Sequence, residues 1–524
     1  MCIARAFVIG GFASLAAATS TFAIEPHPPQ QLITTEEAIV IQARQHLDSL
    51  TPSSDKGIAA DRTYLSAYYA NHEGAPLWVT SNGLTEKAKR IADEIRKADE
   101  WGLDSQDFIL PKSGEDFSAS SLVRKEVAMS LAILKYARHA RGGRINPKDL
   151  SLAIDRTPPL EDAHVVLDTL QTSADPAAYL QNLHPQHAQF KKLRLAYIKI
   201  LGDQNKYVPL SGTQDPGAAD KKKKAKLKNS NAKTAQRLLY NMEMWRWMPR
   251  DLGTKYVWSN VPEFKVRVIK NERIIHEERI VAGKVSKKTP IFSDEMETIV
   301  FHPFWGVPNS IKVKEIFPSL IRGGDILARQ NLKISYAGRV IDPQSVDWSQ
   351  QDIRNYHVFQ PPGRSNALGV VKFMFPNKHA VYMHDTPSKQ LFKHNVRAYS
   401  HGCMRVRNPL KLAEVILSHD KGWTRSKIDA LIAKGPKNNQ IALSNKILVH
   451  VTYFTAHIND AGKPVFVKDI YGHEKRIQMG LDGKAHLIVK KKVNLDAARV
   501  AALSNASSYY KKQDPDWMQR VFEN

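Results

Sequence analysis

The chemistry in this chain is concentrated between His384 and Asn408. The stretch opens with His384-Asp385-Thr386-Pro387, passes through a short basic segment, and closes with Tyr399-Ser400-His401-Gly402-Cys403-Met404-Arg405-Val406-Arg407-Asn408. A cysteine behind a glycine, a histidine just before that glycine, a second histidine farther upstream and two arginines downstream are the parts a thiol nucleophile needs. Such a site requires a base to take the thiol proton and backbone N–H groups to meet a developing oxyanion. Cys403 is the expected nucleophile. Gly402 permits a tight turn that could aim the N–H groups of residues 402 and 403 at a substrate oxygen. Arg405, Arg407 and His401 make the surroundings electropositive, which favours thiolate. His384, at the end of the strand-like run Ala380-Val381-Tyr382-Met383, is the expected base, and the backbone carbonyl of Asp385 is a candidate to orient its ring. His394 and His401 are the rival bases. His401 is too close in sequence to reach Cys403 easily and is expected to hold the loop. Tyr382, Ser400 and Arg405 are the expected substrate-binding residues.

A metal reading competes. His357, His379, His384, His394 and His401 crowd one region, and histidine clusters can hold zinc. No H-E-x-x-H or paired-cysteine spacing accompanies them, and a metal leaves the thiol unexplained. No metal and no cofactor are therefore expected. A non-enzymatic polymer-binding protein is the third reading, supported by charge.

The elements that must position these residues change character along the chain. Residues 32 to 200 are read mainly as helices. Thr85 is a predicted N-cap, with Ala88, Ile91, Ala92 and Ile95 on one apolar face and Gly102 as the stop. Val123 to Arg141 repeats the pattern and ends at Gly142-Gly143. Residues 203–236, with Pro216-Gly217 and the run Lys221 to Lys224, read as a Lys-rich linker. From about 254 the period becomes two: Val266 and Val268 alternate with Lys265 and Arg267, and Lys270-Asn271-Glu272 is a predicted hairpin turn. Residues 237–456 are thus expected to form a β-rich catalytic domain. Residues 320–365 read as an aromatic-bearing insertion that could act as a lid, and residues 457–524 as a tail. The expected class is a multidomain α+β chain.

Lys and Arg outnumber Asp and Glu 76 to 52 over 524 residues, a formal charge of +24. That balance suits an anionic polymer or surface. Arg5 followed by an apolar run and Ala23 has the pattern of a secretory signal over residues 1–23, and no later stretch is long and apolar enough to span a membrane. Loss of Cys2 with the leader would leave Cys403 as the one thiol and preclude an internal disulfide.

The segment His384…Ser400-His401-Gly402-Cys403-Met404-Arg405 resembles the signature of the L,D-transpeptidases with a YkuD-type catalytic domain. Asn241-Met242-Glu243-Met244-Trp245-Arg246-Trp247-Met248-Pro249, Pro303-Phe304-Trp305-Gly306-Val307-Pro308 and Ala137 to Arg144 resemble the large Gram-negative branch with a helical scaffold (residues 24–202 here). The resemblance implies a periplasmic enzyme of peptidoglycan, with stem peptides as partners and no role for nucleic acid. It implies that Cys403 attacks the L-to-D peptide bond of a tetrapeptide stem and releases D-alanine. The acyl group would pass to an amine, either of another stem or of an envelope-protein lysine. Many members of that branch carry a separate peptidoglycan-binding domain. Here only the Lys-rich segment occupies its place.

Overall fold

The computed structural model describes residues 35–112, 116–205, 218–490 and 494–513. The expected signal peptide lies outside them. The N-terminal part is helical: α1 (Thr35–Ser49), α2 (Lys56–Asn71), α3 (Glu86–Arg96), α4 (Ala119–Gly142), α5 (Ala163–Thr172), α6 (Pro176–Leu183) and α7 (Ala188–Asn205). Thr85 caps α3 by accepting from the Ala88 N–H, and Ile91, Ala92 and Ile95 are buried, as the spacing predicts. Glu126 on α4 is buried but satisfied. It accepts from the Tyr69 hydroxyl (2.8 Å) and from the N–H groups of Leu77 (2.8 Å) and Trp78 (2.9 Å).

The linker expectation is corrected over most of its length. Residues Ala218–Arg246 form one long helix, α8. Its C-terminal half is apolar enough to be gripped from both sides. Met242, Met244 and Trp245 enter the main core. Glu243 accepts from Arg144 N–H (2.7 Å) on the scaffold side. Asn241 accepts from Thr455 N–H (2.8 Å) on the other. Tertiary burial of this half, not the local propensity of its Lys-rich start, explains the helix.

The C-terminal part is a barrel-like sheet. Its strands are β1 (Lys255–Asn260), β2 (Lys265–Lys270), β3 (Arg273–Gly283), β4 (Phe292–Phe301), β5 (Val371–Met374), β6 (Met383–His384), β7 (Ala398–Ser400), β8 (Met404–Val406) and β9 (Asn439–Thr452), with helices α9 (Pro409–Lys421) and α10 (Arg425–Lys434) between β8 and β9. The spatial order is β7-β3-β8-β6-β5-β4-β9-β1-β2, and β2 pairs back onto β3 to close the ring. Val266 and Val268 point inward, while Arg267 pairs with Glu277 directly opposite (2.7 Å). Asn271 and Glu272 take positive φ at the predicted hairpin turn.

Two further expectations change extent. The insertion starts earlier than 320. The strands Trp305–Gly306, Lys333–Tyr336, Arg339–Ile341 and His357–Gln360 make a separate four-stranded sheet. Its own core contains Val313, Phe317, Trp348 and Tyr356, so Trp348 and Tyr356, two aromatics of the expected lid segment, are structural. The tail is not peripheral either. Ile458, Tyr471 and Ile477 of α11 (His473–Leu481) belong to the main core. Helix α12 (Leu495–Gln513) lies on the insertion, where Ala502 joins its core and Asp496 pairs with Arg354 (2.8 Å).

Truncation before Leu495 should therefore loosen the insertion alone. Limited proteolysis within residues 305–360 is expected to accelerate roughly tenfold, since cleavage tracks the open population. Unchanged cleavage there would show that α12 contributes nothing to its stability.

Candidate active site

The site is set by one strand pairing. β6 and β8 run parallel with Met383 opposite Met404 and His384 opposite Arg405. Both methionines are fully buried in the barrel core. Alternation then puts Tyr382, His384, Cys403 and Arg405 together on the other face. The rings of Tyr382 and His384 lie 5.7 Å apart, edge to face.

His384 is buried, and its Nδ1 contacts the backbone carbonyl of Asp385. A carbonyl can only accept, so Nδ1 carries the proton and Nε2 keeps a lone pair. Asp385 is held in turn. Its carboxylate accepts from the Val370 N–H (3.0 Å) and contacts the Lys389 ammonium. Gly369 makes room for it: φ is +60°, and a Cβ there would lie 2.2 Å from Asp385 Oδ2.

The nucleophile turn is pinned at several points. Gly402 has φ +127°, open to glycine and strained for other residues. Ser400 Oγ donates to the Cys403 carbonyl (2.5 Å) and receives the Gly402 N–H (3.1 Å). Two expectations shift accordingly. Ser400, expected to bind substrate, is buried and its hydroxyl is engaged in shaping the turn. The Gly402 N–H is already bonded, so it is not a free oxyanion donor. Thr289 Oγ1 donates to the Gly402 carbonyl (2.7 Å), and the Tyr471 hydroxyl receives the Thr289 N–H (3.1 Å). The same hydroxyl donates to the Gly283 carbonyl (2.6 Å). The sequence reading missed Thr289 and Tyr471. Thr289-Pro290 is a short motif beside the site, whereas nothing local marks Tyr471.

Burial dominates the electrostatics. The Cys403 thiol is pushed up to about 11 by desolvation, against the Tyr382 N–H and hydroxyl that bond its sulfur and the positive charge of Arg405. His384 is pushed down to about 3 by burial first and Arg405 second. The expected thiolate is thus corrected: the resting pair is a neutral thiol and a neutral imidazole. The other expected cations are engaged elsewhere. Arg407 pairs with Glu278 (2.7 Å) and His401 with Glu315 of the insertion (2.6 Å). Arg405 has a buried Nε with no hydrogen-bond partner.

The insertion touches the site twice, through Glu315 and through Trp305, which hydrogen-bonds the Tyr382 side chain. The histidines do not converge on a metal. His357 stacks on Phe359, His379 pairs with Asp155 (2.8 Å) and His394 meets the Tyr399 ring. Among the described residues, no three His, Cys, Asp or Glu side chains are grouped to hold an ion.

A helical unit followed by a barrel-like sheet, with a histidine ending one strand and a cysteine leading into its parallel neighbour, defines a scaffolded thiol-bearing barrel protein. Residues 254–451 match the family model of the L,D-transpeptidase catalytic domain (YkuD), and residues 63–196 match that of the Scaffold domain. A match to that catalytic domain thus follows a match to the scaffold domain along the chain. It is similar to a Haemophilus influenzae protein named "Putative L,D-transpeptidase", 31% identical over 246 residues, which are 47% of this chain and 49% of that protein. A shorter similarity, 29% over 117 residues, covers 22% of this chain and 25% of von Willebrand factor A domain-containing protein 1 from Bos taurus. The chain thus spans about half, or less, of the length of these curated relatives.

Two measurements test this geometry. Alkylation of Cys403 by iodoacetamide should rise continuously with pH into the alkaline range, because a raised thiol pKa keeps the sulfur protonated at neutrality. A plateau reached near pH 7 would mean a thiolate–imidazolium pair instead. Gly369→Ala should destabilise the protein in urea titration, by roughly 1–2 kcal/mol for the left-handed backbone and about 1–3 kcal/mol for displacing Asp385. Wild-type stability would show that Asp385 can move freely.

Proposed function

We propose that the protein is a peptidoglycan L,D-transpeptidase, a cysteine acyltransferase that acts on tetrapeptide stems after export to the periplasm. The observation that carries the reading is the shared strand face of Tyr382, His384, Cys403 and Arg405, with His384 held by the Asp385 carbonyl. The matched family domain supports the same reaction class.

The resting charges dictate the order of events. With a neutral thiol, attack and deprotonation must be coupled: His384 Nε2 takes the proton as Cys403 Sγ bonds to the carbonyl carbon of the L-to-D peptide bond. The Cys403 N–H, which has no partner among the described residues, and the Arg405 guanidinium are the positive groups left to meet the oxyanion or a stem carboxylate. Collapse of the tetrahedral species breaks the C–N bond, and the His384 imidazolium returns the proton to the departing D-alanine nitrogen. An amine then attacks the thioester, gives its proton to His384 and restores the thiol. The acceptor is the amine of a second stem or an envelope-protein lysine. The insertion, resting on Tyr382 and His401, shields the thioester from water.

The test is intact-protein mass after mixing with a tetrapeptide stem. Wild type should gain the acyl mass with release of D-alanine, and Cys403→Ala should gain nothing. His384→Ala should slow adduct formation by roughly 10²–10⁴-fold, whereas His394→Ala should leave it near normal. An adduct on Cys403→Ala, or a normal rate in His384→Ala, would defeat the assignment.

A further inference from the structure

A groove of about 660 Å³ opens beside Gly402 and His401. Three stretches distant in sequence wall it: Ser151 to Ala153 after the scaffold helices, the β3–β4 loop from Val285 to Pro290, and the α11 region with Arg476 and Lys490. Among the described residues no aspartate or glutamate lines it, while Lys288, Arg476 and Lys490 do.

The charges are not equivalent. Lys490 is compensated by Asp149 (3.5 Å), His379 by Asp155 and His401 by Glu315. Lys288 and Arg476 have no carboxylate partner among the described residues. The Lys288 ammonium sits 5.9 Å from the centre of the Tyr471 ring. Arg476 gives one N–H to the Leu150 carbonyl (2.5 Å), which leaves most of its donor fork unused. Lys288 is held below the usual lysine range by burial and then by the charge of Arg476. Two uncompensated like charges facing one cleft cost stability unless an anion completes them. Their place is also telling. Thr289, next to Lys288, donates to the Gly402 carbonyl, so Lys288 stands one residue from the contact that fixes the nucleophile turn.

We propose that Lys288 and Arg476 form a carboxylate-binding subsite that seats a carboxylate-bearing part of a peptide substrate on its approach to Cys403. The apolar lining from Leu152, Val285 and Val489 suits the aliphatic parts of such a peptide. The inference rests on the transpeptidase reading. The carboxylate belongs either to the donor stem or to the acceptor amine's own amino-acid unit.

The two half-reactions separate these sources. Thioester formation from a tetrapeptide stem, followed by quench and mass spectrometry, reports the donor. Aminolysis of that thioester by D-methionine against D-methioninamide reports the acceptor carboxylate. In Lys288→Gln and Arg476→Gln, a donor role raises the stem concentration for half-maximal thioester formation roughly 10- to 100-fold. An acceptor role instead collapses a preference for D-methionine over its amide by a similar factor. Lys288→Arg, which keeps the charge, should restore most of either loss, as a merely structural lysine would not require. Unchanged donor dependence and unchanged acceptor preference in both glutamine variants, with wild-type thermal stability, would overturn the subsite. Failure of the wild type to form any thioester would instead sink the transpeptidase reading, and the subsite with it.

Discussion

The active face depends on the burial of two methionines. Met383 and Met404 face each other across the parallel β6–β8 pair inside the barrel, and the pairing register then has no freedom. A one-residue slip of either strand would carry its methionine out of the apolar core and turn His384 or Arg405 into it. The apolar core thus fixes which side chains share the catalytic face. The short polar strands need no strong sequence preference of their own.

Register alone does not hold the nucleophile turn, because Gly402 and its neighbours lie where β7 has ended and β8 has yet to begin. The hydrogen bonds come from far away. Thr289 ties the Gly402 carbonyl, Tyr471 ties Thr289 and Gly283, and Tyr453 donates to Asp469 (2.7 Å) while receiving the Tyr471 N–H (2.6 Å). Just beyond Thr289, the Ile291 N–H donates to the Ala153 carbonyl (2.8 Å) and its carbonyl receives the Asp155 N–H (2.9 Å). The scaffold side therefore grips the same loop that grips the turn. This gives the helical part a physical reason to be present in a protein whose candidate site lies in the barrel.

What was legible in the sequence follows from how local each cause is. Thr85 as a cap, the Asn271-Glu272 turn and the alternation around Val266 depend on neighbours within a few residues, and the structure has them. The His384 and Cys403 stretches were legible because their residue types are distinctive and their separation short. The linker was misread because α8 is helical through contacts with Arg144 and Thr455, which no window around Lys221 contains. The tail was misread for the same reason: Tyr471 earns its position from Gly283 and Thr289, nearly two hundred residues upstream. The thiolate expectation failed differently. The sequence shows that Arg405 and Arg407 are near Cys403, but not that Glu278 takes one of them, nor that the sulfur is desolvated.

That desolvation changes what the arginine at 405 does. In a thiolate site it would merely stabilise the ground state. Beside a neutral thiol and a neutral imidazole, it opposes protonation of His384 and favours negative charge on Cys403. These effects conflict until charge separates, because proton transfer makes an imidazolium that Arg405 repels. An anion arriving near Arg405, whether the oxyanion or a substrate carboxylate, relieves that repulsion. Proton transfer to His384 then becomes favourable only with substrate in place. The free protein would keep its sulfur as a thiol rather than the more oxidisable thiolate until an anion arrives.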